Sequence, residues 1–325
     1  MKTVELAVLI LITGGLLYPI ERGAGQLAST TPSGTPAVQP VSPAPQTSPE
    51  KKGEMDVGLG LAPEGKITSP ITDDWLNAVV SIEIVSGEKP IPIGTGFLIV
   101  TEKDHVILVT AKHVITGGTE KVVEDLGYRF NNTERGSNLV REGDFSRSTG
   151  TWFLSEKADL ACRYISWKPN NVIKGIPVNM LLRQKYLRAG APVLVFGFPI
   201  GLRSEQHPTA IARRGTVARS DTDGLMLDAF MFPGNSGGPV FYMPTFSVDD
   251  VFLKSPYLNA PRLIGLVTSY VPYTDVAVSA QTKRPRITFE ENSGLSNTVT
   301  ADELIDLLGR PEIVKLDGEL PPAPQ

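Results

Sequence analysis

Cysteine is almost absent from this chain of 325 residues: Cys162 is the only one, so no internal disulfide can form and the fold must rest on its core. Histidine is nearly as scarce, with three in all and none at metal-ligand spacing from another or from the cysteine, which argues against a structural zinc site. An excess of charge of one sign is also missing. The 31 Lys+Arg against 35 Asp+Glu leave a net charge of −4 and a pI near 5.6, which gives no electrostatic case for a nucleic-acid partner. Two short basic clusters, Arg213-Arg214 and Lys283-Arg284-Pro285-Arg286, read as solvated loop charge, with contact to an anionic partner as the alternative. Hydrophobic residues at 41% and charged residues at 20% are ordinary for a soluble globular protein of one large or two small domains.

Long apolar runs are rare too. The one that stands out, Leu6 to Leu17, follows Lys2 and the terminal amine and precedes the small residues Gly23, Ala24 and Gly25. Residues 1–25 are therefore expected to be an export signal delivering the protein to the periplasm or the extracellular space. Because Glu5 dilutes the positive start and no Ala-x-Ala site follows, an uncleaved N-terminal membrane anchor is the alternative; the run is shorter than the roughly 20 residues of a full span. Residues 26–66 are rich in Ser, Thr, Pro, Gly and Ala and are expected to be a disordered linker, since they offer too little apolar surface to offset ordering entropy.

From Ile67 the chain turns into short runs of β-branched and apolar residues between turn signals. Ala78 to Ile84, Gly96 to Val100, His105 to Thr110, Leu160 to Ile165, Pro192 to Phe196, Thr216 to Ala218 and Leu263 to Thr268 are the clearest. This spacing predicts an all-β domain over residues 67–310. One helix is expected near its end, where Thr300 and Glu303 form a capping box, Leu304, Leu307 and Leu308 share a face, and Gly309 and Pro311 stop it. Residues 311–325 read as a flexible tail.

Chemistry is concentrated in three places. Gly234-Asn235-Ser236-Gly237-Gly238-Pro239 places a serine hydroxyl among glycines that permit a tight turn and close approach of a substrate. The N–H groups of Gly234 and Ser236 are then candidate oxyanion donors, although the same string would also make a plain β-turn. Upstream, the apolar strand Leu108-Val109-Thr110 delivers His113, a side chain suited to general-base work near neutral pH. His105 and His207 lack such a setting and read as surface residues. Asp159, opening the apolar run Leu160-Ala161-Cys162, is the candidate to orient His113; Asp125 and Asp144 compete for that role from polar loops.

These blocks resemble chymotrypsin-like serine peptidases, and most closely the bacterial Deg/HtrA-type protease domain. The resemblance rests on Gly94-Thr95-Gly96-Phe97-Leu98-Ile99 with Thr110-Ala111-Lys112-His113-Val114, on Ala158-Asp159-Leu160-Ala161, and on Gly234 to Val240, in the order His, Asp, Ser. Gly197-Phe198-Pro199-Ile200-Gly201, Gly215 to Ala218, Leu263 to Val267 and Ser293 to Val299 resemble further family blocks. It implies two antiparallel six-stranded β-barrels with a C-terminal helix, a triad of His113, Asp159 and Ser236, an oxyanion hole from the amides of Gly234 and Ser236, and no cofactor. It also implies protein or peptide substrates, and Phe230 or Met231 with Thr268 and Ser269 lining an uncharged pocket for the residue before the scissile bond. No PDZ-sized segment follows Gly309, so substrate capture by such a module is not carried over and the oligomeric state stays open. The extra sequence at Met243 to Arg262 and Val271 to Asn292 is expected to form loops at the rim of the site. Besides a serine endopeptidase, a catalytically silent binding or scaffold protein of the same fold, or an esterase or acyltransferase with the same triad, is compatible with the sequence. The complete triad favours the endopeptidase.

Overall fold

The computed structural model describes residues 73–86, 89–134, 136–145, 149–167, 170–203, 208–244 and 260–321. The expected export signal and linker, His207, and most of the Met243 to Arg262 segment lie outside them.

The β-branched runs do become strands, and they sort into two groups that are antiparallel except for one two-residue pairing. In the first, β1 (Val79–Ile84), β2 (Ile91–Val100), β3 (Val106–Thr110), β4 (Leu126–Asn131), β5 (Ser137–Arg141), β6 (Phe153–Leu154) and β7 (Ala161–Tyr164) are ordered β5-β4-β1-β2-β3-β7-β6, and β8 (Ile176–Pro177) pairs beside β2. In the second, β9 (Pro192–Gly197), β10 (Ile211–Asp221), β11 (Gly224–Asp228), β12 (Pro239–Tyr242), β13 (Arg262–Val278) and β14 (Pro285–Thr300) close into a barrel ordered β10-β11-β14-β13-β12-β9. The second group meets the six-stranded expectation. The first has eight strands and a hydrogen-bonded path that stays open between β5 and β6, because β6 and β8 add two-residue pairings to six longer strands.

Every residue of β3 is buried, and the core around it takes Phe97, Leu98 and Ile99 from β2 together with Phe196, Phe241 and Leu266 from the second group. The two groups therefore share apolar packing, with the ring of Trp75 lying 4.5 Å from that of Phe241. Trp75 belongs to a short helix, α1 (Asp73–Asn77). A second short helix, α2 (Lys112–Thr116), follows β3.

Helix α3 (Ala301–Leu308) starts at the expected capping box, with Thr300 N–H donating to Glu303 Oε2 at 2.9 Å. The expected loose tail is instead a helix, α4 (Pro311–Glu319), started by proline in its first turn and seated by buried Ile313. Asp317 of α4 accepts from Thr101 Oγ1 at 3.0 Å and lies 3.0 Å from His105 Nδ1, while His105 Nε2 is 3.1 Å from the Pro321 carbonyl. His105 is thus buried beneath the C-terminal segment and is not a surface residue.

The Val271 to Asn292 segment is also not a loop. β13 and β14 stay paired from Gly265↔Thr300 out to Val278↔Pro285, turning near Lys283, which adopts φ 55°. Its β-branched and aromatic residues, among them Tyr273, Val276, Val278, Ile287 and Phe289, explain why it pairs. Among the described residues no helix is long and apolar enough to cross a membrane.

Candidate active site

The register of the first sheet brings two distant residues together. Thr110 of β3 is paired with Ala161 of β7, so the residues just after Thr110 and just before Ala161 emerge side by side. His113 sits on α2, whose single turn ends at Gly117 in a left-handed conformation with its N–H donating to the His113 carbonyl at 2.9 Å. Asp159 sits in the turn Ser155 to Leu160, closed by Ser155 N–H to the Leu160 carbonyl at 2.9 Å and by Ser155 Oγ accepting from Ala158 N–H at 3.1 Å. Lys112 ties the two elements together, donating to the Ser155 carbonyl at 2.9 Å.

The carboxylate then grips the histidine twice. Asp159 Oδ2 lies 2.5 Å from His113 Nδ1, and Oδ1 accepts the His113 backbone N–H at 2.9 Å. Burial alone would raise the Asp159 carboxyl, but the hydrogen bond and charge of His113, its backbone N–H and the charge of Lys112 together hold it below the usual carboxylate range. Asp159 is therefore an anion at neutral pH, able to fix the imidazole tautomer. The competing carboxylates do other work: Asp144 accepts the Arg141 N–H at 3.0 Å, and Asp125 is exposed at the turn before β4.

Ser236 lies in a turn leading into β12. Gly234 at φ 95° and Gly237 at φ 84° hold backbone that favours glycine. Within the turn, Asn235 N–H donates to the Phe232 carbonyl, Gly237 N–H to Val267 and Gly238 N–H to Asn235, at 3.0, 2.7 and 2.8 Å. No acceptor among the described residues takes the amides of Gly234 and Ser236. The Ser236 hydroxyl donates to the Thr268 carbonyl at 2.9 Å, so its proton does not point at His113 here.

The residue that organises this turn is Thr95, which lies in the family-like block Gly94 to Ile99. It is fully buried in β2, donates its N–H to the Ser236 carbonyl at 2.9 Å and its hydroxyl to the Gly234 carbonyl at 2.6 Å, and accepts the Phe198 N–H at 3.1 Å. Its own carbonyl accepts from Thr110 Oγ1 at 2.7 Å. One threonine of the first strand group thereby holds the carbonyls on both sides of Asn235 in the second. The flanking glycines make room inside the first group, where a Cβ on Gly94 would lie 2.4 Å from Val114 Cγ1 of α2. Thr95→Val keeps shape but orphans the Gly234 carbonyl and the Phe198 N–H, each costing about 1–3 kcal/mol. The expected outcome is a fall in kcat of about tenfold or more with little change in KM, read from steady-state kinetics, together with a lower thermal midpoint.

The pocket residues fare unevenly. Met231 is buried in the core of the second barrel beside Val195, Leu227 and Val240, so it does not line a pocket. Phe230 is 53% exposed and faces Gly294, where an added Cβ would stand 3.4 Å from its ring, so it is not a buried floor either. Thr268 and Ser269 lie on β13 beside Ser236; the Ser269 hydroxyl accepts from Asn297 Nδ2 at 3.1 Å. Among the described residues no group of three or more His, Cys, Asp or Glu could hold a metal ion.

Residues 94–245 match the model of the trypsin-like peptidase domain, which spans His113, Asp159 and Ser236. Two curated relatives, the serine protease HTRA1 of Xenopus laevis and that of Xenopus tropicalis, are each 30% identical over 175 residues, covering 50% of this chain and 33% of the relative. The chain thus matches about a third of the length of these relatives. Among solved structures, an HtrA-type protease with a tripeptide aligns over 72% of this chain and 60% of its own, at 15% identity and a TM-score of 0.39. Over residues 94–245 the chain is therefore similar to trypsin-like peptidase domains. Among proteins that carry such domains, its likeness is to the HtrA type.

Proposed function

We propose that this protein is a serine endopeptidase in which His113, Asp159 and Ser236 form the triad. The observation that supports this most is the double grip of Asp159 on His113, which fixes Nδ1 as the proton-bearing nitrogen and leaves Nε2 as the base. On substrate binding the Ser236 hydroxyl rotates away from the Thr268 carbonyl and gives its proton to Nε2 as Oγ attacks the peptide carbonyl. The imidazolium is stabilised by Asp159 and then protonates the leaving amine. The amides of Gly234 and Ser236 receive the oxyanion, and water, deprotonated by His113, releases the acyl group. Substrates on this reading are extended segments of proteins or peptides. Export to the periplasm or beyond remains part of the proposal, on the strength of the apolar run Leu6 to Leu17.

Specificity follows from which groups the pocket region lacks. A buried Arg or Lys of the substrate would need a carboxylate partner, and leaving it unpaired costs several kcal/mol. Thr268, Ser269 and Phe230 supply none, and Asp228 is exposed at the end of β11. Cleavage is therefore expected after small or medium apolar residues such as Val, Ala or Leu. Cleavage-site profiling of a peptide library with the parent chain and with Ser236→Ala tests both levels. A dominant Arg, Lys, Asp or Glu at the cleaved position would refute the specificity, and cleavage that persists unchanged in Ser236→Ala would refute the function.

A further inference from the structure

The described residues expose eleven large apolar side chains, and five of them (Tyr273, Val276, Val278, Ile287 and Phe289) stand on the outer part of the β13–β14 hairpin. An exposed apolar group standing singly needs no explanation, but such a concentration on one projecting element does. The hairpin's charge is sorted as well. Lys283, Arg284 and Arg286 are exposed at the tip and make no ion pair among the described residues. The acidic residues of the hairpin, Asp275, Glu290 and Glu291, all lie further back, with Glu291 opposite Tyr273 and Glu290 opposite Thr274. At about 3.3 Å per residue, Glu290 stands roughly 15 Å behind the tip. In a chain of net charge −4, the tip is a local cationic end with apolar flanks: Val278 is 59% and Ile287 57% exposed.

We propose that this tip docks on an anionic phospholipid surface. Lys283, Arg284 and Arg286 sit at the headgroup phosphates, and Val278 and Ile287 enter the acyl boundary. Charge complementarity alone would also suit a nucleic acid or an acidic peptide, but either would leave the two apolar side chains in water. A bilayer interface takes cations and apolar groups at adjacent depths. Tip-to-tip pairing with a second copy would set like charges against each other. The acidic band behind the tip limits how far the hairpin sinks. The base of the same hairpin is fixed to the site, since Asn292 Nδ2 donates to the Met231 carbonyl at 2.5 Å and Thr268 accepts from Ser236. Ten strand residues from Val278 back to Thr268 would hold the cleft about 30 Å from the lipid.

Docking does not involve the Ser236 hydroxyl, so the full-length Ser236→Ala chain serves as a host that cannot digest itself. Cys162 is buried, and burial pushes its thiol up to about 12, so a cysteine introduced by Ala280→Cys can be labelled selectively with an environment-sensitive fluorophore. The dye is read against phosphatidylcholine vesicles with and without phosphatidylglycerol, at low ionic strength. The expected result is a blue shift, with quenching by a lipid-borne quencher, on the anionic vesicles only. At about fivefold per cation, Lys283→Ala with Arg284→Ala and Arg286→Ala should together raise the lipid concentration needed by roughly 100-fold without moving the thermal midpoint. Because the dye reports the hairpin alone, vesicle binding through the N-terminal segment that leaves it in water would overturn the proposal. An equal shift on neutral vesicles, or a shift produced by an oligonucleotide or an acidic peptide without lipid, would overturn it too.

Discussion

Ser236→Ala is expected to lower peptidase turnover by at least about 10⁴-fold while the thermal midpoint stays within a few degrees of the parent. The substitution removes the attacking oxygen and one hydrogen bond, to the Thr268 carbonyl, worth about 1 kcal/mol in a half-exposed setting. It leaves the turn intact, because Thr95 holds the carbonyls of Gly234 and Ser236 and not the hydroxyl. His113→Ala should cost about as much, since without an acceptor for its proton the hydroxyl is a poor nucleophile. The double variant should be scarcely slower than either single one, because nucleophile and base act as a unit. Asp159→Ala should be severe but about 100-fold milder, since the imidazole remains while its tautomer is no longer fixed. Steady-state rates on one peptide for the parent and the four variants check this. If Asp144→Ala abolished activity and Asp159→Ala did not, the assignment of the third member would be wrong.

The second large effect is on folding. Gly237→Ala places a methyl group where a Cβ would lie 2.0 Å from the Thr95 carbonyl oxygen and 2.2 Å from Thr110 Oγ1, with the Ala111 nitrogen at 3.0 Å. Two of these three are backbone atoms of β2 and of the segment entering α2, so rotating the Thr110 side chain alone cannot relieve the clash. The residue also sits at φ 84°, which disfavours any L side chain. Relief requires β2, the β3–α2 junction or the Ser236 turn to move apart. The expected destabilisation is at least about 4 kcal/mol, a drop of roughly 10 °C in thermal midpoint for a domain of this size. Gly118 supplies the control, since its φ of 78° is equally left-handed but a Cβ there meets nothing within 4 Å. Gly118→Ala should cost only about 1 kcal/mol. Similar losses in the two variants, measured by calorimetry, would show that steric closure at Gly237 is not what holds the turn.

How much of this was legible in the sequence follows from the range of the interactions. The serine turn, the strand that delivers His113 and the apolar run behind Asp159 are local patterns, and acyl transfer demands those residue types. The capping box of α3 is local as well. The meeting of His113 with Asp159 is not: it depends on β3 pairing with β7 in a register that sets Thr110 opposite Ala161. The role of Thr95 was hidden for the same reason, since its partners lie 103 and 139 residues away. Glu83, a carboxylate within the apolar run Ala78 to Ile84, is fully buried. Arg129 forks onto it at 2.7 and 2.8 Å, and Arg203 reaches it at 3.0 Å. Only a fold that collects two guanidiniums can bury that carboxylate. His105 was misread because its partner, Asp317, lies 212 residues further on, in a helix that the Pro-rich end of the chain concealed. The β13–β14 hairpin was missed because its length exceeds what the family resemblance prepares for, and its alternation of apolar and polar residues outweighs that prior. For the pocket, Phe230 and Met231 both stayed open, because the alternation of a strand leaves two faces; Met231 takes the face buried in the second barrel.

The identity of the nucleophile can be tested in one measurement. The folded chain is treated with a fluorophosphonate, which reacts with a serine only where a base and an oxyanion site are assembled around it, and the adduct is mapped by peptide mass spectrometry. A single adduct on Ser236 is predicted, lost in Ser236→Ala and strongly slowed in His113→Ala. A folded chain that leaves Ser236 unmodified, or one that carries the adduct on another residue, would contradict Ser236 as the nucleophile.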